Sequence, residues 1–255
     1  MKTRLTHFLN HAIFISTLFF VRAEGRAQSG SAISQDKFST PPGFEVRIKS
    51  FLLPQVQPKW KYSQAISLSY IMLPAQWTLN PMNAPMLAYS GKLGLPLGFD
   101  FQSSLSTIVI SNLLEFGPSW NYSFEHFHFG MGWRAGYSFG FLTQMGYDTR
   151  VSGWEQEPFL AIGHDFKRNA LTLKASLHWT NSVVFNEGGH TLISRESFFN
   201  GYSFSASLEH RLYRSKVAQF TIKLNSLQYY FLAWPVFPNS QSRYLMPECS
   251  IGLNL

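Results

Sequence analysis

The sequence predicts an all-β protein, a transmembrane antiparallel up-and-down β-barrel, on three observations. Apolar residues alternate with small or polar ones over long stretches, as in a strand whose successive side chains point to opposite faces. The chain is 45% hydrophobic and 16% aromatic but only 14% charged, against roughly 25% charged in an average globular chain. The connections between the alternating stretches are short and long by turns, the order of a membrane barrel with tight turns at one end and long loops at the other. A disordered chain is excluded by the aromatic content. The mean hydropathy is −0.06, and past the N-terminus no apolar run approaches the ~18 residues of a membrane helix.

The first residues read as a leader. Lys2, Arg4 and His7 precede the apolar stretch 12–21, and small residues then allow cleavage after Ala23 or Ala27, the order of a secretory signal peptide. Residues 1–23 are therefore expected to be removed, 24–61 to form a periplasmic segment or an extra strand, and 62–255 to form the barrel. Removal takes Lys2, Arg4 and Arg22 with it, so 21 basic residues become 18 against 14 acidic and the net charge falls from +7 to +4. A nucleic-acid partner loses its support. Cys249 is the one cysteine, which excludes a fold held by intramolecular disulfides.

The clearest strand is 126–142. Phe127, Phe129, Met131, Trp133, Tyr137, Phe139 and Phe141 take the odd positions, and His128, Gly130, Gly132, Arg134, Gly136, Ser138 and Gly140 the even ones. The same alternation marks 62–73, 113–124, 170–180, 198–212, 217–232 and 243–255. Splitting 86–110 at Pro96-Leu97-Gly98, a turn sequence, gives 86–95 and 99–109. With 157–166 the count is ten, and the pattern also admits eight or twelve. A soluble sandwich would carry more Lys and Glu on its solvated face. Here the apolar faces are rich in Phe, Tyr and Trp and the opposite faces in Gly and Ser, which suits aromatics toward lipid and small polar residues in a confined interior. Connections at 124–126, 167–169 and 213–216 are tight. Those at 143–156, 181–197 and 233–242 are expected as long external loops, and 143–156 and 181–197 as the surface for an external ligand or protein. Trp77, Trp154, Trp179 and Trp234, in or beside these loops, fit an interfacial aromatic girdle.

The leader, the alternation and the amphipathic last strand resemble the small outer-membrane β-barrel proteins of two-membraned bacteria. The resemblance covers 62–255 and is one of pattern. It implies outer-membrane location with a periplasmic N-terminus, contact with outer-membrane lipid, and insertion by barrel-assembly machinery. That family commonly ends in an aromatic residue, whereas this chain ends in Leu255.

Seven charged residues fall on the inward faces: Glu115, Arg134, Lys174, Glu209, Arg211, Lys223 and Glu248. Desolvated charges must pair, so a hydrogen-bonded network filling a narrow lumen is expected, and a narrow polar conduit is the sharper alternative. His126 and His128 share a face without an evident third ligand, and no metal site is assigned. Gly130-x-Gly132-x-x-Ala135 has the spacing of a dinucleotide loop, but alternation continues where that motif needs a helix, so no cofactor is expected. His178 with Ser176 is the one candidate base and nucleophile, in the reversed Ser-x-His order. The acids Asp148, Glu155, Glu157 and Glu187 are scattered. The leading expectation is a non-enzymatic barrel in envelope structure, surface interaction or narrow solute passage, ahead of a barrel-embedded lipid hydrolase and of a subunit of an export or assembly machine.

Overall fold

The computed structural model describes residues 50–73, 82–108, 110–142, 148–166, 168–212, 216–230, 232 and 242–255. Ten antiparallel strands follow one another: β1 Tyr62–Leu73, β2 Met82–Gly94, β3 Phe99–Thr107, β4 Ser111–Phe124, β5 Phe127–Leu142, β6 Thr149–Phe166, β7 Asn169–Glu187, β8 His190–Arg211, β9 Val217–Leu227 and β10 Tyr244–Asn254. Each pairs with its neighbours in sequence, and β1 pairs with β10, so the sheet closes on itself. The closing seam runs from Ala65 opposite Asn254 to Ile71 opposite Glu248. The only helical turn among the described residues is the 3-10 turn Pro96–Gly98 between β2 and β3.

Alternation sets the two faces. Leu160, Ile162, Phe204, Trp133 and Ile251 lie outward and exposed, while Glu157, Ser176, Ser203, Asn225 and Lys92 lie inward and buried. An exposed apolar outside around a buried polar inside is the reverse of a soluble barrel and suits lipid contact. The glycines expected on the inward face of β5 leave room the interior uses: a Cβ at Gly132 would come 2.6 Å from the Phe159 ring.

Three expectations are corrected at the end away from the termini. Residues 181–197 are not a long loop, because β7 runs to Glu187, β8 starts at His190, and Gly188-Gly189 joins them. Both glycines have positive φ, +56° and +82°, as a two-residue hairpin turn requires. Alternation is interrupted there by register shifts between His178 and Trp179 and between Phe185 and Asn186. The buried positions of β7 change from even to odd between Thr180 and Val183, where the ladder also skips a pair between Thr180–Phe198 and Ser182–Glu196, so Val183 and Phe185 are buried although Leu177 and Trp179 face outward. Most of 143–156 is likewise strand, since β6 begins at Thr149. Trp154 and Trp179 accordingly sit on strands, exposed. The connection at 108–110 is short although it lies at this same end. Trp77, Trp234, most of 233–242 and the leader with both cleavage sites lie outside the described residues.

Two measurements check the barrel. The folded protein should migrate differently on gels before and after boiling. Leu160→Arg, a charge in the outward apolar band, should lower the urea stability of the vesicle-inserted barrel by about 2–4 kcal/mol, whereas Ser205→Ala, on the inward face, should change it little.

Candidate functional site

The lumen has three layers. Residues 50–58 lie at the mouth beside the strand termini, a charged cluster occupies the middle, and an apolar cluster on β1, β9 and β10 lies toward the other end.

Glu209 organises the mouth. Fully buried on β8, its carboxylate accepts the Ser50 hydroxyl, the backbone N–H groups of Phe51 at 2.8 Å, Leu52 at 3.1 Å and Leu53 at 3.1 Å, and the Asn254 amide at 3.4 Å. A buried carboxylate needs such donors, and a peptide segment outside the ladder needs acceptors for its N–H groups. Each supplies what the other lacks. The segment then follows the inner wall. Leu53 packs on Ala170 of β7, the Val56 N–H donates to Ser123 of β4 at 3.3 Å, and the Trp60 N–H donates to the Gly94 carbonyl of β2 at 2.8 Å. Two inward glycines make the path: a Cβ at Gly163 would lie 2.4 Å from Leu53, and one at Gly130 2.6 Å from Pro54. The segment 50–61 is therefore neither a strand nor separate from the barrel. Nearby, Asn121 donates to Asp100 at 2.6 Å, and Lys92 lies 4.0 Å from Asp100. His128 is buried, within 2.9 Å of the Ser123 hydroxyl and 3.3 Å of Asp165, whose same oxygen lies 3.2 Å from the exposed His126. The two histidines thus share a carboxylate but differ in exposure. No group of three metal-ligating side chains that could hold an ion occurs among the described residues.

The middle layer joins most of the predicted charges. Glu157 takes Arg134 at 2.5 Å and Lys174 at 2.9 Å. Arg134 also lies 3.5 Å from Glu115, which accepts the Ser104 hydroxyl at 2.8 Å. Both cations stack over the Phe159 ring, Lys174 at 4.3 Å and Arg134 at 5.7 Å. Lys223 stands opposite Glu248 in register and within electrostatic reach of Glu157 and Glu115. Asn225 donates to Glu248 at 3.3 Å. Glu209 and Arg211 do not belong to this cluster: Glu209 holds the mouth segment and Arg211 is the last residue of β8. Glu155 and Glu157, expected as scattered acids and not as members of the inward network, also belong here: the loop expected over 143–156 and a strand expected to start only at Glu157 broke the alternation that continues through Val151, Gly153, Glu155, Glu157 and Phe159. A Cβ at Gly136 would lie 2.8 Å from Glu155, so the glycine admits that side chain.

Around this cluster lies a cavity of about 280 Å³, with Phe51, Leu52 and Pro54 on one side and Tyr229, Tyr230 and Leu232 on the other. Ile71, Leu73, Leu227 and Met246 pack together at that second side, with Tyr230 against them. Burial, and the nearby acids Glu248, Glu155 and Glu115, hold the Tyr230 phenol well above its ordinary pKa. His178 also lines the cavity, and its Nε2 lies 3.0 Å from the hydroxyl of Ser203, not of Ser176. Its Nδ1 has no hydrogen-bond partner, so no third group orients the imidazole as hydrolysis through an activated serine requires.

No family model matches the chain, and no curated protein matches it. It is similar in fold to Neisserial surface protein A, with 8% identity, a TM-score of 0.40, and 76% of this chain and 96% of that one covered. It is also similar to the translocator domain of the autotransporter NalP from Neisseria meningitidis, at 9% identity, a TM-score of 0.36, and 76% and 86% covered. The P. putida toluene transporter TodX matches at 11% identity, a TM-score of 0.30, and 78% and 89% covered. Likeness at this level assigns no activity.

Glu157→Gln should destabilise the inserted barrel by about 3–5 kcal/mol, because Arg134 and Lys174 would lose their shared counter-charge in a desolvated site. Urea titration followed by tryptophan fluorescence reads the loss.

Proposed function

We propose that the chain is an integral outer-membrane barrel of non-enzymatic type with a sealed lumen, working in envelope structure or surface interaction rather than in solute passage. The observation that carries this reading is the segment held across the mouth by Glu209. Removing it requires breaking four hydrogen bonds to one buried carboxylate, each worth more than a neutral bond because the acceptor is charged. The apolar layer of Ile71, Leu73, Leu227 and Met246 supports closure at the other end. In this reading the leader exports the chain, the end bearing the termini faces the periplasm, and the far end faces outward. There β8 runs on from Gly201, its last residue paired with β9, back to His190, so the β7–β8 hairpin stands beyond the barrel wall. Loops and extensions on a rigid scaffold are the usual carriers of recognition, and this hairpin replaces the loop 181–197 as the partner surface.

Planar-bilayer recording tests the reading: the intact protein should give no steady conductance at any moderate voltage. Glu209→Ala, which takes the acceptor from the Phe51 and Leu52 N–H groups and leaves the Leu53 N–H only the Ser50 hydroxyl, should raise the frequency of openings at least tenfold. Steady channels from the intact protein would overturn the sealed lumen. The hydrolase alternative has one supporting observation, the contact between His178 and Ser203. Release of fatty acid from phospholipid by the intact protein, abolished in Ser203→Ala, would replace the non-enzymatic reading.

A further inference from the structure

The barrel wall is uneven. Between β4 and β5 the pairing runs to Phe116 opposite Ala135 and resumes at Ser119 opposite Gly132. Between β6 and β7 it runs to Gln156 opposite Trp179 and resumes at Phe159 opposite Ser176. Each lapse covers two residue pairs and contains a proline, Pro118 or Pro158. A proline has no N–H to give a ladder, and in hydrocarbon no water replaces the lost bond.

The two seams differ in tightness. At Gly117 the strands press together, since a Cβ there would lie 1.9 Å from the Trp133 carbonyl oxygen. The β6–β7 seam is held instead by a side-chain contact, the Lys174–Glu157 ion pair at 2.9 Å on its luminal side, and His178 beside it also borders the bulge on β8, where Gly201 has a φ of +151°. On the lipid side of these seams lies a groove of about 740 Å³, with Pro118, Gly132 and Pro158 along it and Trp133, Leu177 and Phe204 beside them. On the luminal side the most accessible charge is Lys174, whose side chain is 24% exposed, followed by Arg134 at 17% and Glu115 at 13%, while Glu157 between the two cations is 3% exposed. Phe159, the residue after Pro158, carries both cations on its ring, and Phe159 and Ser176 border both the groove and the cavity.

We propose that this part of the wall binds a single-chain carboxylate amphiphile, a free fatty acid, taken up from the membrane through the β6–β7 seam. The hydrocarbon chain occupies the outer groove. The carboxylate passes between Pro158 and Leu177 to Lys174 and Arg134, where it shares the cations with Glu157. Entry from the side suits a lumen covered at both ends. The site rests on the wall and not on axial closure, so a conducting barrel would leave it standing.

The test uses the full barrel with Cys249→Ser in phosphatidylcholine vesicles, and palmitic acid bearing a diazirine on its chain. Labelling should saturate, compete with unlabelled palmitate, and map to Trp133, Leu177 and Phe204. Lys174→Gln should weaken it about tenfold and Lys174→Arg should retain it, with gel mobility before boiling reporting that each variant is folded. The corresponding long-chain alcohol probe should bind at least tenfold more weakly. A disulfide between Pro158→Cys and Leu177→Cys should remove the saturable labelling, whereas one between Ile162→Cys and Leu173→Cys, register partners in the intact ladder, should not. Unsaturable labelling spread over the outward face, equal labelling by acid and alcohol, or indifference to the seam disulfide would each overturn the proposal.

Discussion

The structure depends on one constraint: in hydrocarbon, every backbone N–H and C=O must find its partner within the protein. A sheet meets that demand only by having no edge, so β1 must pair with β10. Once the ladder is closed, pleating leaves each strand with one face toward lipid and one toward the lumen. The composition follows from this division. The outward residues cannot be charged, and the inward ones must fit beside nine other strands, which selects Ser, Gly and a few charged groups that find partners. A charge content of 14% and a near-zero mean hydropathy are averages over these two environments.

Inside, the same demand is met by side chains. Glu209 and the segment 50–53 show it most directly, because each is untenable in the lumen without the other. The inward glycines Gly130 and Gly163 serve this contact, keeping the wall low where Pro54 and Leu53 cross it. In the middle layer, Glu157 holds two cations at once and Phe159 supplies the surface on which both lie. A pair of opposite charges in such a place contributes less to net stability than to fixing one arrangement, since desolvation offsets most of the attraction.

The period-two signal made ten strands legible because a strand's two faces are written residue by residue in the chain. It also placed Glu115, Arg134, Lys174, Lys223 and Glu248 inward. It failed where bulges shift the period, at 181–197, although Gly188-Gly189 between the two stretches carried the signature of a two-residue hairpin. The contact between Ser50 and Glu209 was beyond reach for a different reason: the residues are 159 apart in sequence, and no local pattern couples them. The partner of His178 was misread similarly. Ser176 shares its strand, but Ser203 reaches its ring from the neighbouring strand, and only the register between β7 and β8 decides this.

Four prolines lie within strands, and their placement separates tolerance from cost. Pro85 pairs with Tyr70 of β1, while the ladder to β3 begins beyond it at Leu87. Pro247 pairs with Leu224 of β9, while the ladder to β1 ends at Glu248. Each thus lies at or beyond the end of the ladder on that side and interrupts none in its middle. Pro118 and Pro158 instead interrupt ladders in mid-strand, on either side of Trp133, and each leaves pairs unmade where water is excluded. Two mid-strand lapses on either side of one tryptophan, under an apolar groove and beside Lys174 and Arg134, place these departures from regularity where access from lipid to lumen would be needed.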